Sequence, residues 1–210
     1  SNREAKELKP LSDFPETLQQ KIIWSGPDDG KMGFTVFRKT IDLTTFDSAV
    51  IRIFADTRYT LWINGAEVLR GPCRFDPVAP SFDSKDVKSF LKKGKNAVVV
   101  MVMSHGSNGK MMNHQPGLTV GLEIKNSVQG DMTIWTDPSW KWNNHTRFLP
   151  PEQNWGFVCD RIDARLDDGD WSQTDYNDSN WSFAAPVDGK KWGALTARGI
   201  PLLANFNMAW

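Results

Sequence analysis

Tyr59-Thr-Leu-Trp-Ile-Asn-Gly65, followed by Gly71-Pro-Cys-Arg-Phe-Asp-Pro77 and Gly94-Lys-Asn-Ala-Val-Val-Val-Met-Val-Met103, decides the fold. The order is strand, tight turn, strand, loop, strand. Asn64-Gly65 is the strongest hairpin signal in the chain, because both residues tolerate positive φ. Asn96–Met103 is almost unbroken apolar sequence, the pattern of a strand buried on both faces. The stretch holds no nucleophile motif, no metal-ligand spacing and no phosphate loop. It points to an antiparallel β-sandwich that binds or braces.

Further strands surround it. Lys31–Leu43 alternates around Phe34, Val36 and Phe37, and Ala49–Ala55 alternates around Val50. Ala66–Leu69 returns antiparallel from the Asn64-Gly65 turn. Leu118–Ile124 and Met132–Thr136 predict a second hairpin, and Trp140-Lys-Trp142 a short strand. Residues 157–166 form one more. Two short helical turns are expected, over Pro15–Lys21 and over Ser84–Leu91, the latter stopped by Gly94. Beyond Trp135, Pro, Trp and Asn become dense and regular strands thin out. Short strands with turn signals between them indicate an all-β sandwich or jelly roll rather than a βαβ fold.

Composition sets the outer limits. Of 210 residues 40% are hydrophobic, enough for a sizeable core. Lys+Arg and Asp+Glu are 25 each, so the basic surplus of a nucleic-acid footprint is missing. No run of about 18 apolar residues spans a membrane. Cys73 and Cys159 could pair, or both stay as thiols. The Ser1-Asn-Arg-Glu start lacks a signal h-region, and is read as following the removal of an export signal from a secreted or periplasmic bacterial protein.

Candidate site residues fall into four groups. The ten tryptophans are mostly packing residues, while one or two suit stacking on sugar rings, Trp155 among them. Asn108, Asn113 and His114 in the loop Ser104–Gly117 offer neutral donors and acceptors for hydroxyls, although His105, His114 and His145 also read as ordinary surface histidines. Arg70, Arg74 and Asp76 flank the Gly71-Pro-Cys loop. There an Arg–Asp pair would rigidify the turn or grip vicinal hydroxyls. Asp167, Asp168 and Asp170, with Asp175 and Asp178 beyond, gather oxygens in a turning segment. Calcium is the cation such a cluster would take, yet the EF-hand spacing and its closing glutamate are absent. The alternative gives Asp178 and Ser179 to local backbone and Trp171 and Trp181 to the core. Glu67, Glu123 and Glu152 lie on strands or in a Pro-rich loop, not as a catalytic pair.

With these residues in view, the chain resembles the amino-terminal β-sandwich region of bacterial α-L-rhamnosidases. Tyr59–Gly65 is similar to that family's strand ending in an Ile-Asn-Gly turn. Asp86-Val87, Leu91-Lys92 and Gly94-Lys-Asn96 are similar to the step that precedes its long apolar strand. Thr136-Asp-Pro-Ser-Trp140, Asp163-Ala-Arg-Leu166, Trp171 and Asn177-Asp-Ser-Asn-Trp181 resemble its later motifs, and Ile200-Pro-Leu-Leu203 the run toward further domains. The likeness covers residues 33–203. Where the family has Gly-Glu before a Tyr, this chain has Val158-Cys-Asp-Arg-Ile162, so no role tied to that pair carries over.

The resemblance implies a galactose-binding-domain-like jelly roll over 31–203, with residues 1–30 as an extension and first strand and 204–210 as the start of a linker. It implies a parent glycoside hydrolase that removes terminal L-rhamnose with acidic residues on a separate (α/α) barrel. This piece would then be a non-catalytic accessory module with no required cofactor. Its partners would be an L-rhamnose-containing glycan, contacted through Arg74, Asp76, Asn108, His114 and Trp155, and the catalytic domain. Rival expectations are a structural interaction domain docking through Trp192–Trp210, and a self-sufficient jelly-roll hydrolase or lyase.

Overall fold

The computed structural model describes residues 14–107, 114–154 and 157–202. Among these described residues one α-helix, α1 (Phe14–Gln20), precedes fifteen strands. In chain order these are β1 (Ile23–Trp24), β2 (Gly33–Leu43), β3 (Ser48–Asp56), β4 (Arg58–Ile63), β5 (Ala66–Gly71), β6 (Ser81–Asp86), β7 (Gly94–Ser104), β8 (Gly117–Lys125), β9 (Met132–Trp135), β10 (Lys141–Asn143), β11 (Phe148–Asn154), β12 (Phe157–Ile162), β13 (Ser182–Phe183), β14 (Ala185–Pro186) and β15 (Thr196–Ala197). One sheet has the order β14-β1-β8-β3-β6-β15, with β9 also on β8. The second runs β13-β10-β2-β7-β4-β5, and β11–β12 is a separate hairpin. All pairs are antiparallel except β15 with β6.

The expected sandwich is present. Its core joins Ile51, Ile53, Val120 and Leu122 of one sheet to Phe37, Leu61, Val98 and Val100 of the other. β2 and β7 pair along their whole length, from Gly33 with Ser104 to Leu43 with Gly94. Strand alternation sends Val98, Val100 and Val102 into that core and Ala97 and Val99 to the opposite face. There Trp171 and Trp181 cover them, so β7 is buried on both sides. The outer face of the first sheet is covered in turn by Phe14 and Leu18 of α1 with Phe75, Trp192 and Leu195.

The hairpin turn forms as its residues dictate. Asn64 and Gly65 have φ of 53° and 83°. Asn64 also accepts from Ala97 N at 2.9 Å and donates to the Phe90 carbonyl at 2.9 Å, which locks the turn onto β7 and the Lys88–Phe90 3-10 turn.

Several expectations are corrected. The helical turn expected from Ser84 is instead the end of strand β6, followed by a 3-10 turn at Lys88–Phe90. β6 carries little apolar sequence; it is held by pairing to β3 and by the buried Asp83, which accepts from Tyr59 Oη at 2.5 Å and Arg198 at 2.9 Å. Strand β11 crosses Pro150 and Pro151, where no strand was expected, with a register shift between Leu149 and Glu152. Trp192 is buried, with Nε1 donating to Asp56 at 2.9 Å, so it is no part of an exposed tryptophan cluster; residues 203–210 lie outside the described residues. Cys73 and Cys159 are both free thiols.

Candidate functional site

The segment after β12 carries no strand until β13, yet it is fixed by one buried cation. Arg38 of β2 is 1% exposed. Its Nε donates to Asp178 at 2.9 Å, Nη1 to the Trp171 carbonyl at 3.3 Å, and Nη2 to the Thr174 and Tyr176 carbonyls at 3.4 Å. Lys141 of β10 reaches the other Asp178 oxygen at 2.9 Å. Burial lowers the Arg38 pKa, while Asp178 works in the opposite direction. Asp178 therefore clamps side chains far upstream rather than capping its own turn; Ser179 does bond locally, its N–H donating to Asn177 Oδ1 at 3.0 Å.

The clamp draws the segment against β10 and forms an open depression of about 430 Å³. Trp142, Asn143 and the Asn144-His145 turn line one side; Asp167, Asp168, Tyr176, Asn180, Trp181 and Ser182 line the other. Asn143 accepts from His145 N at 2.9 Å, an Asx turn that leaves Asn144 and His145 exposed. Tyr176 meets Trp181 edge-on at 5.7 Å. The buried Trp181 Nε1 has no hydrogen-bond partner among the described residues. The result is an open surface of ring edges and amides, with the Asp167 and Asp168 carboxylates and the His145 imidazole also on its lining.

Asp168 holds the rim together. It accepts from Arg147 N at 2.9 Å, Arg147 Nε at 2.7 Å and Trp171 Nε1 at 3.2 Å. Burial pushes its pKa up, but the Arg147 and Trp171 hydrogen bonds outweigh it and hold the carboxyl below its usual range. Asp170 is also lowered, chiefly by the Ser172 hydroxyl, and Asp167 accepts from Gly169 N at 3.1 Å. Each carboxylate of the expected calcium cluster thus has a local partner. Among the described residues no three His, Cys, Asp or Glu side chains gather as cation ligands.

The other expected contacts are dispersed. Arg74 and Asp76 are exposed on the Gly71–Pro80 loop, and Asp76 accepts from Val78 N at 3.0 Å. Arg70 pairs instead with Glu67, at 2.7 and 2.8 Å. Asn108, Asn113 and Trp155 lie outside the described residues. His114 is not a surface histidine: it is 6% exposed, its Nδ1 lies 2.7 Å from Asp56 Oδ1, and Phe75 and His105 pack edge-on against it. His105 is half-buried, and burial, followed by its neighbour His114, lowers its pKa.

Among the described residues, Asp56 and Asp83 are the fully buried carboxylates. Asp56 is taken by Trp192, His114 and Gln115 N; Asp83 by Tyr59 and Arg198. Burial, then Asp83, pushes the Tyr59 hydroxyl far above its ordinary range, so it stays a donor. Asp56 at the end of β3 and Asp83 within β6 tie their strands to the segment 192–198. The residues that sequence reasoning overlooked are Asn144, Asn180 and Tyr176. Their one local signal was the dense Asn and Trp texture beyond Trp135.

Residues 44–201 match the model of the Alpha-L-rhamnosidase N-terminal domain. An alpha-L-rhamnosidase of Formosa agariphila is 28% identical over 167 residues, which are 70% of this chain and 17% of that protein. The crystal structure of a GH78 family rhamnosidase of Bacillus sp. GL1 superposes with a TM-score of 0.73 at 27% identity, over 87% of this chain and 20% of the other. An alpha-L-rhamnosidase from Dictyoglumus thermophilum shares the fold, with a TM-score of 0.75 at 19% identity over 89% of this chain and 23% of the other. The chain therefore spans less than a quarter of the length of these relatives.

Proposed function

Because the chain belongs to the Alpha-L-rhamnosidase N-terminal domain family, we propose that it is a non-catalytic accessory module of a secreted or periplasmic glycoside hydrolase acting on terminal L-rhamnose. Its contribution is shallow saccharide capture in the depression between β10 and the Arg38-clamped segment. One observation carries this reading: exposed neutral amides, Asn144 and Asn180, flank the Trp142 and Tyr176 rings. Amides match hydroxyls without the cost of desolvating an ion. Aromatic edges suit the C–H faces of a pyranose. The accessory role is supported by the commitment of both fully buried carboxylates to structural partners. The proposal moves the sugar site away from His114, whose imidazole belongs to Asp56.

A sugar exchanges water hydrogen bonds for protein ones, so the net gain is small. Binding at about 1 mM, about −4 kcal/mol, is the expected range. NMR titration with L-rhamnose and rhamnose-containing oligosaccharides should shift signals of Asn144, Tyr176 and Asn180, and Asn180→Ala should remove the response. No shift at about 10 mM ligand would defeat the binding reading. Turnover of a chromogenic rhamnoside by this chain, lost on replacing one carboxylate, would defeat the accessory reading.

A further inference from the structure

A second concavity lies on the outer face of the same sheet, farther along it and beside the β11–β12 hairpin. Strand register explains it. Phe34, Met103 and Arg58 form one row across β2, β7 and β4, and Met101, Thr60 and Arg70 form the next across β7, β4 and β5. Residues paired in register share a face. The thioethers and the Phe34 ring make a floor, and Arg58 and Arg70 stand at one side of a groove of about 250 Å³. That is below the usual 300–1,000 Å³ of drug-sized clefts and suits a single ring.

The two guanidinium groups differ. Arg70 chelates both oxygens of Glu67. Arg58 has Asp160 of β12 as its ion partner at 3.9 Å, and both side chains are more than half exposed. An exposed pair at that distance is worth little, so its carboxylate can be replaced at low cost. A ligand carboxylate would form the stronger, planar two-point contact that guanidinium favours.

We infer that this groove takes a carboxylate-bearing sugar, a uronate, with its C–H face on the partly exposed Met101, above the buried Met103 and Phe34, and its carboxylate on Arg58 in place of Asp160. The inference rests on the saccharide reading of the module but uses a different surface. Arg58 is the anchor; Asp160 is the built-in competitor that keeps the empty groove neutral.

The test is NMR titration of the whole chain with oligogalacturonate and with its methyl ester, which keeps the ring and removes the charge. The acid should bind at least about fivefold more tightly than the ester, and added salt should erode the difference. Arg58→Ala should weaken acid binding by about tenfold, the scale of a charged hydrogen bond. Asp160→Asn should tighten it by about two- to fivefold, a gain that a purely structural pair would not produce. Equal binding of acid and ester, an unchanged Arg58→Ala, or weaker binding by Asp160→Asn would overturn the inference. So would equal affinity for a glutamate-rich peptide. L-Rhamnose titrated against Asn180→Ala and Arg58→Ala separates the two sites. A silent rhamnose arm beside a responsive acid arm removes the depression and keeps the groove; the reverse pattern removes the groove alone.

Discussion

Replacing Arg38 with Met should loosen the segment that builds the saccharide depression. Met keeps most of the volume and removes the charge. The loss begins with the 2.9 Å charge-assisted bond to Asp178, worth about 1.5–3 kcal/mol. The Trp171 carbonyl loses a buried 3.3 Å donor, at about 1 kcal/mol. The Thr174 and Tyr176 carbonyls lose only long bonds of 3.4 Å on the half-exposed side, where water can replace them. Lys141 still neutralises Asp178 at 2.9 Å. The full penalty of an uncompensated buried charge, about 3–5 kcal/mol, is therefore not reached. The expected cost is about 2–4 kcal/mol, or a fall in Tm of about 5–15 °C for a chain of this size.

Asp178→Asn should cost more, because it leaves the guanidinium, with no exposed side-chain surface, without its carboxylate. The double variant should cost less than the sum of the singles by about 1–2 kcal/mol, since the two residues share one interaction. Urea unfolding followed by tryptophan fluorescence gives the free energies. Hydrogen exchange should show residues 171–181 opening first, because they lose the anchor while the sandwich core keeps its own. If Arg38→Met costs less than about 0.5 kcal/mol, or if the two substitutions add, Arg38 is not the clamp. The depression would then need another cause.

Asp168 gives a pH signature. Its folded pKa lies below the ordinary carboxylate range. It therefore adds stability that is present above the unfolded pKa and is lost as pH falls through the folded one. Asp168→Asn should cost about 1–3 kcal/mol at pH 7, and the Tm gap between parent and variant should close below about pH 4. A gap that stays constant with pH would refute this. Gly65→Ala places a side chain at φ +83° and against the Gln173 amide. The strain should cost about 1–2 kcal/mol, and Gly65→Ala/Gln173→Ala should recover only the steric part. Full recovery in urea titrations would show that the backbone conformation carries no cost.

What could be read from the chain was what a two-residue period can report. β2, β3, β4, β7 and β8 each alternate or run apolar over at least six residues, and Asn64-Gly65 marks its own turn. Trp171 and Trp181 could be placed in the core because large rings near a strand-poor segment must bury somewhere. β6 escaped because its stability lies in the buried Asp83, and a carboxylate in a short polar run looks like a loop. The four two-residue strands β1, β13, β14 and β15 have no period to detect. His114 was misplaced for a similar reason. Its partner Asp56 is 58 positions earlier, and only β3 with β8, joined from Asp56 to Gly117, brings that carboxylate near.

The depression was invisible for a deeper reason. Asn144 and Asn180 belong to separate turns, and neither turn has an apolar pattern that demands the other. They meet because Lys141 and Arg38, neighbours in the register of β10 and β2, both end on Asp178. A buried ion pair is a weak source of stability, since desolvation consumes most of its attraction. Here it fixes one position for a segment that hydrophobic burial alone would hold loosely. Trp171 and Trp181 supply the adhesion to β7; the Arg38–Asp178 pair sets where along β2 that adhesion occurs. If that division is right, a variant with Arg38 and Asp178 both replaced by apolar residues should stay folded, at less than the summed cost of the single replacements, while losing its response to saccharide. A variant that lost both together would show that the pair serves adhesion and not placement.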